Sequence, residues 1–229
     1  MSTPVICMWP AFDCASNVNL GEVKSANSYG TKRVNITNGR GGALLVRTPT
    51  FNRVNIMKFA KKGDQESGED ITAYFSALRT EEKDFFAKVV EPLNKLVIDT
   101  AVNRSKEYFG KMIKETSVRH ELFASPITTS DGYPDSFKST INKTPCCQYF
   151  DKDGNEMTFD AFMDVVVRER GATARAVIQF THVYIQSSKK FGYKSSVRSL
   201  QLQEPLFEEG VVLPTKDDGM AALGFVFDD

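Results

Sequence analysis

Hydrophobic positions alternate with a period of two toward both ends of the chain and recur at spacings of three and four between them. The sequence therefore predicts strands, then helix, then strands again. From Thr31 to Ala60 the runs KRVNIT, GALLVRT and RVNIMKFA predict three short strands, with Gly39-Arg40-Gly41-Gly42 and Pro49 as the turn chemistry between them. The polar stretch KKGDQESGED predicts an exposed loop, and Asp70 stands at a helix N-cap position. From there to about Met112 the pattern is helical: Thr80, Glu81 and Glu82 form a good N-terminus, and Phe85, Phe86, Val89, Val90, Leu93, Leu96 and Val97 form one apolar stripe. Pro92 is expected to kink or split that helix.

After Ser125 the turn-rich SPITTSDGYPDS leads back to strand patterns. These are FKSTI, CCQYF, a hairpin signal at Asp153-Gly154, MTFDAFMDVVV, and two long runs, TARAVIQFTHVYI and YKSSVRSLQLQ, joined by QSSKKFG. From about Glu204 the periodicity fades, and the ending GFVFDD reads as the aromatic tip of a flexible acidic tail. The expectation is a mainly β (α+β) chain: one antiparallel domain over 1–203, more like a small barrel than a parallel α/β sheet, with a helical insert at about 70–118 and the tail at 204–229.

Composition adds little to this, and charge adds more. With 229 residues, 41% hydrophobic and 25% charged, the chain has ordinary globular values that exclude wholesale disorder and fibrous rods. Cys7, Cys14, Cys146 and Cys147, with no CxxC pair, read as reduced thiols. Neither a secretion signal nor a stretch approaching 18 apolar residues is present, so an intracellular protein without a membrane span is expected. The 29 Lys and Arg balance the 29 Asp and Glu, but residues 1–63 carry +7, 64–160 carry −6, 161–202 carry +5 and 203–229 carry −6.

Candidates for catalysis are few. His120 and His182 have no Cys or Asp at ligand or triad spacing. Asp151, Asp153 and Asn155 imitate the start of a calcium loop, but Glu156 replaces its glycine and Phe162 its final acid, which leaves a hairpin turn. Gly39-Arg40-Gly41-Gly42 lacks the Lys-Ser/Thr of a phosphate loop. No metal, cofactor or enzymatic activity is expected.

What stands out is cations interleaved with aromatics on the predicted strands and hairpins. Arg47, Arg53 and Lys58 lie in the first basic block, and Arg175, Tyr184, Lys189, Lys190, Phe191, Tyr193, Lys194 and Arg198 in the second. Cations track phosphates and flat rings stack on bases at about 1–3 kcal/mol each, so this composition suits a single-strand groove. Phe180, beside Val177 and Ile178, reads as core, whereas Phe191 and Tyr193, in or beside the loop, read as stacking rings. At the C-terminus Phe225, Phe227, Asp228 and Asp229 form an aromatic-acidic hook suited to a basic groove, its own or a partner's.

The order of these features resembles the single-stranded DNA-binding proteins of podoviral phages and their relatives in large nucleocytoplasmic DNA viruses. The most specific stretch is Gly171 to Leu202, in which an alternating strand ends in an aromatic and a short loop with Gly192 leads to a returning strand with Val197, Leu200 and Leu202. The looser order covers most of the chain. The resemblance implies an OB-fold, no catalytic activity, and coverage of single-stranded DNA in replication, recombination and repair. It also implies a tail that recruits a DNA polymerase, helicase or primase, and it is compatible with a homodimer and with a viral replication site in host cytoplasm or nucleus. The tail is shorter and less acidic than is usual for such proteins, and the segment through Asn27 matches nothing in the pattern. Two other readings compete: a viral structural β-protein of capsid or scaffold type, and an enzyme of nucleotide metabolism.

Overall fold

The computed structural model describes residues 6–26, 30–60, 69–142 and 147–206. Its strands are β1 (Ile6–Met8), β2 (Val18–Ser25), β3 (Lys32–Asn38), β4 (Leu44–Ala60), β5 (Glu69–Ser76), β6 (Ile127–Ser130), β7 (Tyr133–Ile141), β8 (Gln148–Phe150), β9 (Glu156–Met157), β10 (Ala172–Ile185) and β11 (Phe191–Leu202). Five of them close on themselves: β4 pairs with β5, β5 with β7, β7 with β11, β11 with β10, and β10 again with β4. Of these pairings β7 with β11 is parallel and the other four are antiparallel. This is the five-stranded Greek-key closure of an OB-fold barrel, as the resemblance implies. The β2–β3 hairpin extends the sheet past the barrel by pairing with the last residues of β10.

Several elements differ from the sequence expectation. The runs on either side of Pro49 form one strand of 17 residues. Proline is tolerated there because the β4–β10 register shifts between Arg175 and Val177, and the Thr48 hydroxyl accepts the Ala176 N–H at 3.0 Å in place of a backbone partner. The short α1 (Cys14–Asn17) precedes β2; Asp70 is a residue of β5 and not a helix cap, so the helical insert begins ten residues later than about 70, with α2 (Thr80–Phe85). It continues through a wide π turn (Phe86–Val90) into α3 (Glu91–Asn103), α4 (Ser105–Phe109), α5 (Glu115–Ser117) and a second π turn (Val118–Leu122). The first π turn runs directly into Pro92, and Glu91 N–H reaches back to the Phe86 carbonyl, so the missing proline donor costs no regular helical bond. Finally, TFDAFMDVVV is not a strand. The Thr158 hydroxyl accepts the Ala161 N–H at 3.2 Å and starts α6 (Phe159–Arg168), whose Phe162 and Val166 are buried. A cap and a four-residue apolar repeat outweigh the β-branched triplet Val165–Val167.

The core is a chain of phenylalanine rings. Phe51, Phe75, Phe137 and Phe180 fill the barrel, and Phe85 of the insert packs into it, 5.8 Å from Phe51 and 6.5 Å from Phe137. One fully buried carboxylate anchors the insert. Glu82 accepts the N–H of Asn52 at 2.7 Å and of Leu78 at 2.6 Å, and pairs with the buried Arg79 guanidinium at 3.2 Å, while Arg79 donates to the Thr50 carbonyl. Among the described residues no helix is long and apolar enough to cross a membrane.

Glu82→Ala leaves a buried guanidinium without its counter-charge and is expected to lower the unfolding free energy by about 3–5 kcal/mol. Lys88→Ala, which breaks the exposed pair with Asp84, is expected to cost less than about 1 kcal/mol. Urea midpoints at unchanged slope check both.

Candidate nucleic-acid interface

The alternation of β10 sorts its side chains between core and surface. Ala172, Ala174, Ala176, Ile178 and Phe180 are buried inside the barrel, and Arg175, Val177 and Gln179 point outward. A register shift between Phe180 and His182 restores the alternation, so Val183 and Ile185 are buried while His182 and Tyr184 face out. The neighbouring strands then add their own outward residues. Arg47 lies opposite Val177, Arg33 opposite Tyr184, and Asn35 and Lys194 on either side of His182. Arg198 occupies the register shift beside Val177. The result is a lane along the outer face of β10 that carries Arg175, Arg47 and Arg198 toward one end and Lys194 and Arg33 beside the half-buried Tyr184 toward the other.

Its charge is unbalanced. The sequences of β3, β4, β10 and β11 hold eight lysines and arginines and no aspartate or glutamate. Among the described residues none of Arg33, Arg47, Lys194 and Arg198 pairs with a carboxylate. On the insert, by contrast, Lys88 reaches Asp84 at 2.7 Å, Lys95 reaches Asp99 at 2.7 Å and Arg119 reaches Asp99 at 2.8 Å. His182 feels the lane: burial, then Arg33 and Lys194, push its pKa down to about 4, so the ring is neutral at pH 7. The strands that face the opposite way, β5 and β7, carry Glu69, Asp70 and Asp135 against a single Lys138.

Tyr184 is set in place by a glycine. A Cβ on Gly192 would come within 2.8 Å of the Tyr184 hydroxyl and 2.7 Å of the Ala124 carbonyl, so only glycine lets the phenol lie across β11. The Lys194 ammonium sits 5.5 Å from the centre of that ring.

The residues singled out in the sequence thus divide. Arg47, Arg175, Tyr184, Lys194 and Arg198 come together on the lane, and Lys189 and Lys190 stand on the hairpin at its end. Arg53 and Lys58 do not join them. The Arg53 side chain packs over Gly171, and the Lys58 ammonium lies 5.3 Å from the Phe159 ring of α6. Phe191 and Tyr193 correct the expectation of stacking rings, because both are buried. Phe191 packs 5.7 Å from Phe109 and 5.5 Å from Phe123, and Tyr193 lies 5.8 Å from Phe180. The turn closes between Gln186 and Lys190, so both rings belong to β11 on its inward side. Phe225, Phe227, Asp228 and Asp229 lie outside the described residues. Sequence reasoning misses Arg33, although the inward Val34 and Ile36 leave it facing out. Tyr74 and Lys138 lie opposite each other on β5 and β7, away from the lane, and the pattern does not reveal Tyr74 as a strand residue because it places a helix where β5 stands.

No protein-family model and no curated protein matches the sequence. Among solved structures, the single-stranded DNA-binding protein from bacteriophage Enc34 is similar at a TM-score of 0.41 and 13% identity, over 85% of this chain and 96% of that one. Gp2.5, the single-stranded DNA-binding protein encoded by bacteriophage T7, is similar at 0.39 and 11%, over 82% and 100%. The Enc34 protein in complex with ssDNA is similar at 0.37 and 11%, over 84% and 99%.

Because Phe191 is core, Phe191→Ala is expected to lower stability by about 3–5 kcal/mol. Chemical denaturation measures this, and a stability loss below about 1 kcal/mol would return the ring to the surface.

Proposed function

We propose that residues 1–203 form a sequence-independent single-stranded DNA-binding domain acting in replication and recombination, without catalysis, and that the strand runs along the outer face of β10. The observation that carries this reading is the acid-free set of four strands whose outward arginines and lysines line the face of β10 that also bears Tyr184. Outward cations without carboxylate partners on four neighbouring strands suit a phosphodiester backbone, and the half-buried phenol offers a base one flat partner. The OB barrel commonly uses its second and third strands for nucleic acid. Here those strands are β5 and β7, whose net charge is negative, so the lane on β10 is the electrostatically favoured face.

The acidic tail is proposed to compete weakly for this lane and to recruit replication proteins when DNA displaces it. The described chain supports the first part. Leu206 is held to the Asn52 side chain, and Gln203 N–H donates to the Thr173 carbonyl, so the chain leaves the barrel beside Arg175 and Arg53. A tether this short gives an effective concentration in the millimolar range, about enough to make even poor affinity count.

Anisotropy of a labelled oligo(dT) over a salt series tests the domain. Arg47→Ala, Arg175→Ala and Arg198→Ala together are expected to weaken binding to all sequences alike, and the slope of log K against log[salt] is expected to shrink by about 0.7 for each phosphate left unneutralised. Unchanged affinity and slope would remove the lane. Deleting residues 207–229 is expected to tighten binding at low salt, with the gain fading as salt rises. An equal affinity with and without the tail at low salt would end the competition idea.

A further inference from the structure

The outward face of the barrel continues past β4 onto β1. This strand runs parallel to β4, with Ile6 opposite Leu45, Cys7 opposite Val46 and Met8 opposite Arg47. Residues paired in register point to the same side of a sheet, and Val46 is buried inside the barrel opposite Ile178. Cys7 therefore faces inward and packs against the core, while Ile6 and Met8 face outward, 43% and 48% exposed. Two rows cross the outer face from β1 through β4 to β10: Met8, Arg47 and Val177, and Ile6, Leu45 and Gln179. Arg47 thus has Met8 and Val177 on either side and Leu45 two residues back along its own strand.

Scattered apolar side chains at a surface are ordinary, but this set is contiguous and abuts cations that have no carboxylate partner. β1 is also an edge strand without a single charge, although edges are usually blunted by charged residues. It is firmly seated all the same. Phe12 just beyond it is buried, the Phe12 N–H donates to the Trp9 carbonyl at 3.2 Å, and the Lys88 ammonium of the insert lies 5.6 Å from the centre of the Trp9 ring. The arginine-rich end of the lane has no outward ring of its own, since Tyr184 stands toward the other end. A nucleotide pairs a charged phosphate with a flat apolar base face, and the row from Arg47 to Met8 offers a cation and, about 5 Å away on the next strand, a polarizable thioether. A duplex hides its base faces in the stack, whereas a single strand can turn them outward.

We propose that Ile6 and Met8, with Leu45, form an apolar shelf on which unstacked bases of single-stranded DNA lie while Arg47 holds the neighbouring phosphate. The shelf rests on the single-stranded DNA reading and extends its footprint from β10 across β4 to β1. Bases are then received at both ends of the lane, by Tyr184 at one and by the shelf at the other, and the N-terminal strand is part of the binding face.

The test uses the full chain, a labelled oligo(dT) over a salt series, and a strand of the same length made of abasic sites. The double variant Ile6→Thr, Met8→Gln keeps a β-branched residue at position 6 and the side-chain length at position 8. It is expected to weaken oligo(dT) binding by roughly three- to tenfold and to leave both the salt slope and the Tm at wild-type values, because no cation and no core residue is removed. On the abasic strand the variant and the wild type are expected to bind equally. A wild type that binds oligo(dT) with a steep salt slope, together with a variant that matches its affinity, overturns the shelf and leaves the β10 lane standing. A loss of equal size on the abasic strand also overturns it, since the missing contact was then not to a base, and so does a clearly lower Tm, which makes the two side chains structural. Failure of the wild type to bind oligo(dT) at low salt overturns the shelf and the single-stranded DNA reading together.

Discussion

The period of β10 is the constraint on which the rest depends. Its 14 residues pair with β4 and β3 along one edge and with β11 along the other, so its inward set can only be the small and apolar residues that fill the barrel. A slip of one residue would turn Arg175 and Tyr184 toward the barrel interior and expose Ala174, Ile178, Phe180 and Val183 to water. Core packing thus fixes the register, and the register in turn sets which cations line the outer face. Closure of the barrel and exposure of the lane are two consequences of one alternation.

Charge is segregated by element as well as along the chain. The insert neutralises its own lysines and arginines through pairs such as Lys88 with Asp84 and Arg119 with Asp99, while the strands around β10 contain no acid that could do the same. Glu82 anchors the insert against β4, Ala124 N–H holds the chain that follows it against β11, and Arg104 and Glu107 bond to Gly21 of β2 and Lys32 of β3. A formally neutral protein therefore presents a continuous positive path along one side.

Much of this is legible in the sequence. The two long runs around QSSKKFG, the helical stripe from Phe85 to Val97 and the basic blocks all follow from periodicity and charge. What escapes has identifiable physical causes. Pro49 looks like a break because a bulge with a side-chain acceptor is invisible without the partner strand. TFDAFMDVVV looks like a strand because its valines favour one, and only burial of Phe162 and Val166 decides for helix. Phe191 and Tyr193 look like loop rings because the turn closes at Lys190, one residue before Phe191, and the rings that cover Phe191 belong to the insert, more than 60 residues away in the chain. Of the cations, those on β10 and β11 come together because they share an alternation, and Lys58 does not because α6, whose pattern imitates a strand, takes it up.

The central claim is that single-stranded DNA lies on the β10 side of the barrel and not across β5 and β7. Photocrosslinking with an oligo(dT) that carries 5-iodouracil, followed by peptide mapping, reports the contacted side chains directly. The account predicts adducts on Tyr184 and on the hairpin peptide that follows it. Adducts on Tyr74 of β5, with none on Tyr184, would contradict it.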